Sequence, residues 1–195
     1  MISGAALSIL LAMIILAFYV MDFYYMMRYD QQRQQQGKGW SWDYTLGTLF
    51  LGLVVLLQPI FFPRIALSVD TFPGKAMQVL GGVSVLLSFG LHIWSRQHLR
   101  HFYTERVEVQ SGHQVINTGP YSLVRHPIIV SFFLLVVGIL LINPGITTLL
   151  VLTYTIVDFS KAAQQEEKLL SNTVAGYDAY MKQTPRFIPR LWRGQ

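Results

Sequence analysis

The chain lacks cysteine altogether, which excludes a disulfide framework, a thiolate zinc site and a cysteine nucleophile together. Charge is nearly as scarce: Asp, Glu, Lys and Arg make up 13% of the 195 residues, about half of the share near 25% usual in a soluble domain. No G-x-S-x-G elbow, no P-loop and no strand followed by G-x-G-x-x-G occurs, so a soluble Rossmann-type cofactor domain is excluded. H-E-x-x-H is absent as well. His98 and His101 can share a helical face, but zinc needs a third protein ligand in suitable geometry, and no metal is expected. The formal charge of +5 comes without a basic run interleaved with aromatics, so no nucleic-acid partner is expected either.

What the chain has in excess is apolar surface, 52% of its residues. Apolar stretches run from Ile2 to Met21, Tyr44 to Phe62, Ala76 to Trp94, Ile128 to Ile142 and Ile146 to Val157. The first three suit single membrane spans of roughly 17–25 residues. The last two are short, and Asn143-Pro144-Gly145 between them signals a turn, so a tight helical hairpin is expected. Its second helix continues through residues 158–174, which lack proline and glycine, until Gly176 can end it. The expected fold is therefore all-α: a polytopic membrane protein of five transmembrane helices with a C-terminal helical hairpin and a cytosolic catalytic segment. Residues 1–95 would hold the three N-terminal helices and residues 96–195 the catalytic core. The first stretch has no positive n-region and no small-residue cleavage site, which argues against a signal peptide.

Charge sets the orientation. With five spans, one side receives thirteen basic residues: Arg28, Arg33, Lys38, Arg96, Arg100, Arg106, Arg125, Lys161, Lys168, Lys182, Arg186, Arg190 and Arg193. The other receives only Arg64 and Lys75. The amino terminus is thus expected outside, and the carboxyl terminus and active site in the cytoplasm. Gly81-Gly82, Ser84 and Ser88 allow close helix approach, and His92 within a span is expected to make an interhelical hydrogen bond.

Ionisable residues are sparse before His98 and dense after it, which points to a site in the last half of the chain. Arg125-His126-Pro127 opens the fourth helix, where proline is tolerated and where free N–H groups and the helix dipole favour a carboxylate or phosphate. The competing reading makes Arg125 and His126 simple headgroup-boundary residues. Gln165-Glu166-Glu167 lies on the projecting helix. Adjacent carboxylates point about 100° apart, so only one of them faces a given pocket and the other is expected to be solvated. A surface role is the default for both. The hairpin weighs against that default, because it makes its two ends neighbours.

Gly112–Tyr121 (G-H-Q-V-I-N-T-G-P-Y), Val124–Pro127 (V-R-H-P), the N-P of the turn, Glu166–Leu170 (E-E-K-L-L), Gly176–Tyr180 (G-Y-D-A-Y) and Arg186–Pro189 (R-F-I-P) together resemble the membrane methyltransferases typified by isoprenylcysteine carboxyl methyltransferase. The resemblance spans about 85 residues in order and spacing, from Gly112 to the end. It implies S-adenosylmethionine as cofactor in a cytosolic pocket, with contacts on His113, Gln114, Val115, Ile116, Tyr121, His126, Pro127, Ile128, Ile129 and Glu166. A lipid-bearing substrate, a lipophilic small molecule or a prenylated peptide, would enter from the membrane lipids. Two departures stand out: Ile129 and Ser131 replace the tyrosine and glycine that usually follow Arg-His-Pro. The arginine usual before the paired glutamates has Lys161 as its nearest counterpart, which makes Lys161 the candidate for substrate binding.

Methyl transfer is an in-line displacement that needs a positioned nucleophile and exclusion of water. A carboxylate needs no general base, so a lipophilic, prenylated carboxylate is the first-ranked acceptor. A phospholipid amine would need deprotonation by His126 or Glu167. Arg125 and Glu167 are the expected catalytic pair. The rival is a membrane sterol reductase using NADPH, whose 2′-phosphate calls for clustered arginine beside the glutamates.

Overall fold

The structure, a computed structural model, describes residues 4–29, 46, 50, 52–57, 72–99 and 115–190. These are helical or irregular, with no strand among them. Five α-helices are bounded in full: α1 Gly4–Tyr29, α2 Phe72–Leu99, α3 Pro127–Ile142, α4 Ile146–Thr173 and the short α5 Tyr177–Gln183. A 3-10 turn, Gly119–Ser122, precedes α3. Among the described residues, three helices are long and apolar enough to cross a membrane, over Ala6–Tyr25, Phe72–Leu99 and Ile146–Thr173, whereas α3 is a shorter apolar helix of 16 residues. The chain is a membrane protein. The expected second span, Tyr44 to Phe62, lies mostly outside the described residues; its helical residues 52–57 pack Val55 into the core beside α1, and Ser8 Oγ donates to the Leu56 carbonyl at 3.1 Å.

Helix limits differ from the hydropathic reading in one direction. α1 runs eight residues past Met21, and α2 starts four residues before Ala76 and ends five after Trp94. Apolar runs mark only the lipid-facing middle of a helix, while Pro73 is compatible with a first turn and polar ends extend freely into water. α4 caps at Val174, and Gly176 stands two residues beyond it at φ 85°, where it starts α5 instead of closing α4.

α2 and α3 form the tightest contact. A Cβ on Gly81 would stand 2.7 Å from the Gly138 carbonyl oxygen, and one on Gly138 would stand 2.8 Å from that of Gly81, so neither position has room for a side chain. Ser84 Oγ reinforces the seam by donating to the Leu134 carbonyl at 2.7 Å. Gly82, by contrast, borders open space. α4 packs on α3 after the three-residue link Asn143–Gly145.

A buried charge cluster ties α1 to this pair. His92 places Nε2 2.8 Å from Asp22 Oδ1 and Nδ1 2.9 Å from Ser131 Oγ, the interhelical bonding expected of it. Arg96 donates to the same Asp22 oxygen and places Nε 3.2 Å from His92 Nε2. Arg96 was counted among the cytosolic loop charges; it is instead helical and 1% exposed, because Asp22 on another helix supplies its counter-charge. The rings of Phe18 and Phe132 pack on His92 and on each other, and Phe89 packs on Phe18, all at edge-on angles.

Candidate active site

The 3-10 turn, the start of α3, the C-terminal half of α4 and the segment after α5 meet at one place. Their meeting is built from backbone first. The Arg125 N–H donates to the Pro185 carbonyl at 2.8 Å and the His126 N–H to the Arg186 carbonyl at 3.2 Å, so residues 185–186 lie along the entry to α3. Tyr180 donates its hydroxyl to the Tyr121 carbonyl at 2.6 Å, tying α5 to the 3-10 turn. Beneath them Leu170, Val174, Tyr177 and Tyr180 form a small apolar core against which Val115 and Met181 pack. Burial pushes the phenols of Tyr177 and Tyr180 well above the ordinary range, and the neighbouring glutamates add to this, so both remain neutral.

Glu167 sits at the centre. Its carboxylate accepts from Arg125 Nε at 2.9 Å, His126 Nε2 at 3.0 Å and Arg186 Nε at 3.0 Å, while Arg186 Nη2 closes a two-point fork on Oε2. Arg125 spends its remaining donor group on the carbonyls of Met181 and Thr184. The side chain of Glu167 is 6% exposed, and that of Glu166 is 45% exposed. The pair divides as adjacent helical positions should: the 100° between them turns Glu167 inward onto two guanidiniums and leaves Glu166 half exposed. Glu166 stands at the mouth, with Oε2 3.5 Å from His126 Nδ1. Burial works against a charged His126, but hydrogen bonds to Glu166 and Glu167 outweigh it and raise its pKa above the ordinary value. The Glu167 hydrogen bonds likewise raise that of Arg186.

Convergence of His126 with Glu166 across the α3–α4 pair was the central expectation for the site, and the two side chains do meet. Tyr121, Pro127, Ile128 and Ile129 are buried next to them in chain order, Val115 and Ile116 are half-buried, and His113 and Gln114 lie outside the described residues. His98 packs its ring on Gly119, whose φ of 57° and whose missing Cβ, 2.4 Å from that ring if present, make room for it; His101 lies outside the described residues. Lys161 is not brought to the cluster. It is exposed on α4, and its five- and six-residue separations from Glu166 and Glu167 turn it about 140° and 120° away. Arg186 is the residue that sequence reasoning passed over, although R-F-I-P was among the matched pieces. Its role depends on the fold of α5, which no local pattern displays.

The residues fit an aminoacyl nucleoside sulfonium. Glu166 offers a half-exposed carboxylate for an ammonium or a hydroxyl, and no side chain caps the amino end of α3, where first-turn N–H groups and the dipole favour a carboxylate. Residues 80–172 match the isoprenylcysteine carboxyl methyltransferase (ICMT) family, a span that contains Arg125, His126, Glu166 and Glu167. The chain is similar to this family over that segment, just under half of its length. The matched family is one of methyltransferases. Among curated relatives, the nickel-cobalt-cadmium resistance protein NccN of Alcaligenes xylosoxydans xylosoxydans is 27% identical over 124 residues, covering 63% of this chain and 54% of its own length. The cobalt-zinc-cadmium resistance protein CzcN of Cupriavidus metallidurans is 28% identical over 129 residues, covering 64% and 56%. The chain thus spans just over half the length of these relatives.

Proposed function

We propose that this chain transfers a methyl group from S-adenosylmethionine to a lipophilic, prenylated carboxylate at the membrane surface. The observation that carries the reading is the convergence of His126 and Glu166 beside the uncapped start of α3, inside the family-matched segment. When bound, the cofactor supplies an electrophilic methyl group. Glu166 holds its amino group or a ribose hydroxyl, and the first-turn N–H groups at Ile128 and Ile129 hold its carboxylate. Arg125, anchored on Glu167, keeps the residues around Pro185 closed over the site and excludes water. An acceptor carboxylate is already ionised, so no side chain needs to remove a proton.

In this reading the chain crosses the membrane five times, the amino terminus is outside, and residues 96–195 form the catalytic core on the cytosolic side. With the buried Arg96 set aside, the asymmetry of basic residues is still twelve to two and supports that orientation. Titration of the purified protein with S-adenosylmethionine and, separately, NADPH tests the cofactor, and release of a base-labile methyl ester from a lipophilic carboxylate tests the reaction. Binding of NADPH without S-adenosylmethionine would replace the proposal with a reductase.

A further inference from the structure

The acceptor's negative charge needs a cation, and the residue expected to provide it, Lys161, points elsewhere. Arg125 has its donors committed to Glu167, Met181 and Thr184, and both ring nitrogens of His126 face glutamates. Lys168, Lys182 and Arg190 are exposed side chains outside the cluster's bonding. Arg186 differs from all of these. Its side chain is 33% exposed, it engages Glu167 through Nε and Nη2, and Nη1 has no bonded partner among the described residues. Two guanidiniums share the single buried carboxylate of Glu167, so the surplus positive charge emerges at the less buried one, which is Arg186.

What adjoins Arg186 is apolar. The Phe187 ring lies 6.0 Å from the His126 ring and 5.3 Å from that of Phe133, and Ile188 is exposed beside it. Phe133 is six residues into α3 from Pro127, about 9 Å along an apolar helix. A cation followed by an aromatic path into the bilayer is the complement of an anionic amphiphile. We infer that Arg186 receives the carboxylate of the acceptor and that its apolar tail runs along Phe187 and Phe133. The inference rests on the carboxyl-methylation reading and names the residue that selects the acceptor. Arg186 lies outside the family-matched residues 80–172.

Titration calorimetry on the purified full chain, saturated with S-adenosylhomocysteine, tests this with dodecanoate and dodecylamine as probes. The wild type is expected to bind dodecanoate at least tenfold more tightly than the amine. Arg186→Gln should weaken dodecanoate tenfold or more and the amine far less, Arg186→Lys should fall between because it lacks the planar fork, and Phe187→Ala should weaken both probes alike. The Arg186→Lys variant keeps the charge on Glu167, which covers the case in which Arg186→Gln does not fold. A larger dodecanoate loss from Lys161→Met than from Arg186→Gln, or equal losses of the two probes in Arg186→Gln, would overturn the assignment while leaving carboxylate methylation standing. A wild-type preference for the amine would overturn both.

Discussion

Glu166 and Glu167 are chemically identical and adjacent, and the structure gives them different work, so exchanging each for glutamine should produce opposite patterns. Glu167→Gln keeps the shape of the side chain but replaces one oxygen, which accepts from guanidinium, by an amide that can only donate. Arg125 and Arg186 then share no counter-charge. Breaking a buried ion pair on one side typically costs about 3–5 kcal/mol. Arg186 is a third exposed and water recovers part of its loss, which brings the expected cost to the low end, about 3 kcal/mol. In a chain of 195 residues, each kcal/mol moves the melting temperature by roughly 2–4 °C, so Glu167→Gln should lower it by about 6–12 °C.

Glu166 makes one long contact, 3.5 Å to His126, and is nearly half exposed. Its removal should cost less than about 1 kcal/mol of stability. Cofactor affinity should show the reverse weighting: losing a charged partner from a desolvated pair costs about 2–5 kcal/mol, or roughly thirtyfold to several thousandfold. Thermal unfolding in detergent, followed by tryptophan fluorescence, and titration with S-adenosylmethionine should therefore be run on both variants. Equal drops in melting temperature would refute the burial argument. Unaltered cofactor binding in Glu166→Gln would remove that residue from the pocket.

Two further outcomes follow from the helix contacts. Asp22→Asn should destabilise the protein by about 3 kcal/mol or more, and Arg96→Met added to it should recover part of the loss in thermal unfolding, because the guanidinium left uncompensated is the larger cost. Gly81→Ala should lower the melting temperature by several degrees, since overpacking costs about 1–3 kcal/mol, whereas Gly82→Ala next to it should not, because nothing lies within 4 Å of its Cβ.

Three long apolar helices and the break between α3 and α4 were legible because hydrophobic length and an Asn-Pro-Gly sequence are local signals. Convergence of His126 with Glu166 was legible for the same reason: a three-residue link leaves two packed helices no choice about which ends meet. The inward glutamate was not, because a 100° turn separates the two candidates and the arginine that decides between them arrives 19 residues later through the fold of α5. The Asp22, His92 and Arg96 cluster was half legible. A histidine inside a span announces a partner, but the partner lies 70 residues away, and Arg96 looked like an interfacial charge. Ser131 explains itself only here: in place of the family's usual glycine it presents Oγ to His92.

That same helix start carries the last prediction, which concerns pH. His126 has a folded pKa above its ordinary value near 6.5, since its bonds to Glu166 and Glu167 outweigh the cost of burial. A group whose pKa rises on folding stabilises the protein fully below its unfolded pKa and loses that contribution as pH climbs through the folded one. The contribution should therefore be complete below about pH 6.5 and should decline above it, with a slope no steeper than about 1.4 kcal/mol per pH unit for one proton. A neutral imidazole keeps one N–H, and the shorter bond, 3.0 Å to Glu167, retains it; the 3.5 Å contact to Glu166 is the one released. Loss of the proton thus loosens the mouth of the site before its centre. The measurement is the difference in thermal stability between wild type and His126→Gln across pH 5–9, which cancels other titrating groups. A difference that stays flat, or that grows as pH rises, would show that His126 is not held charged by its glutamates.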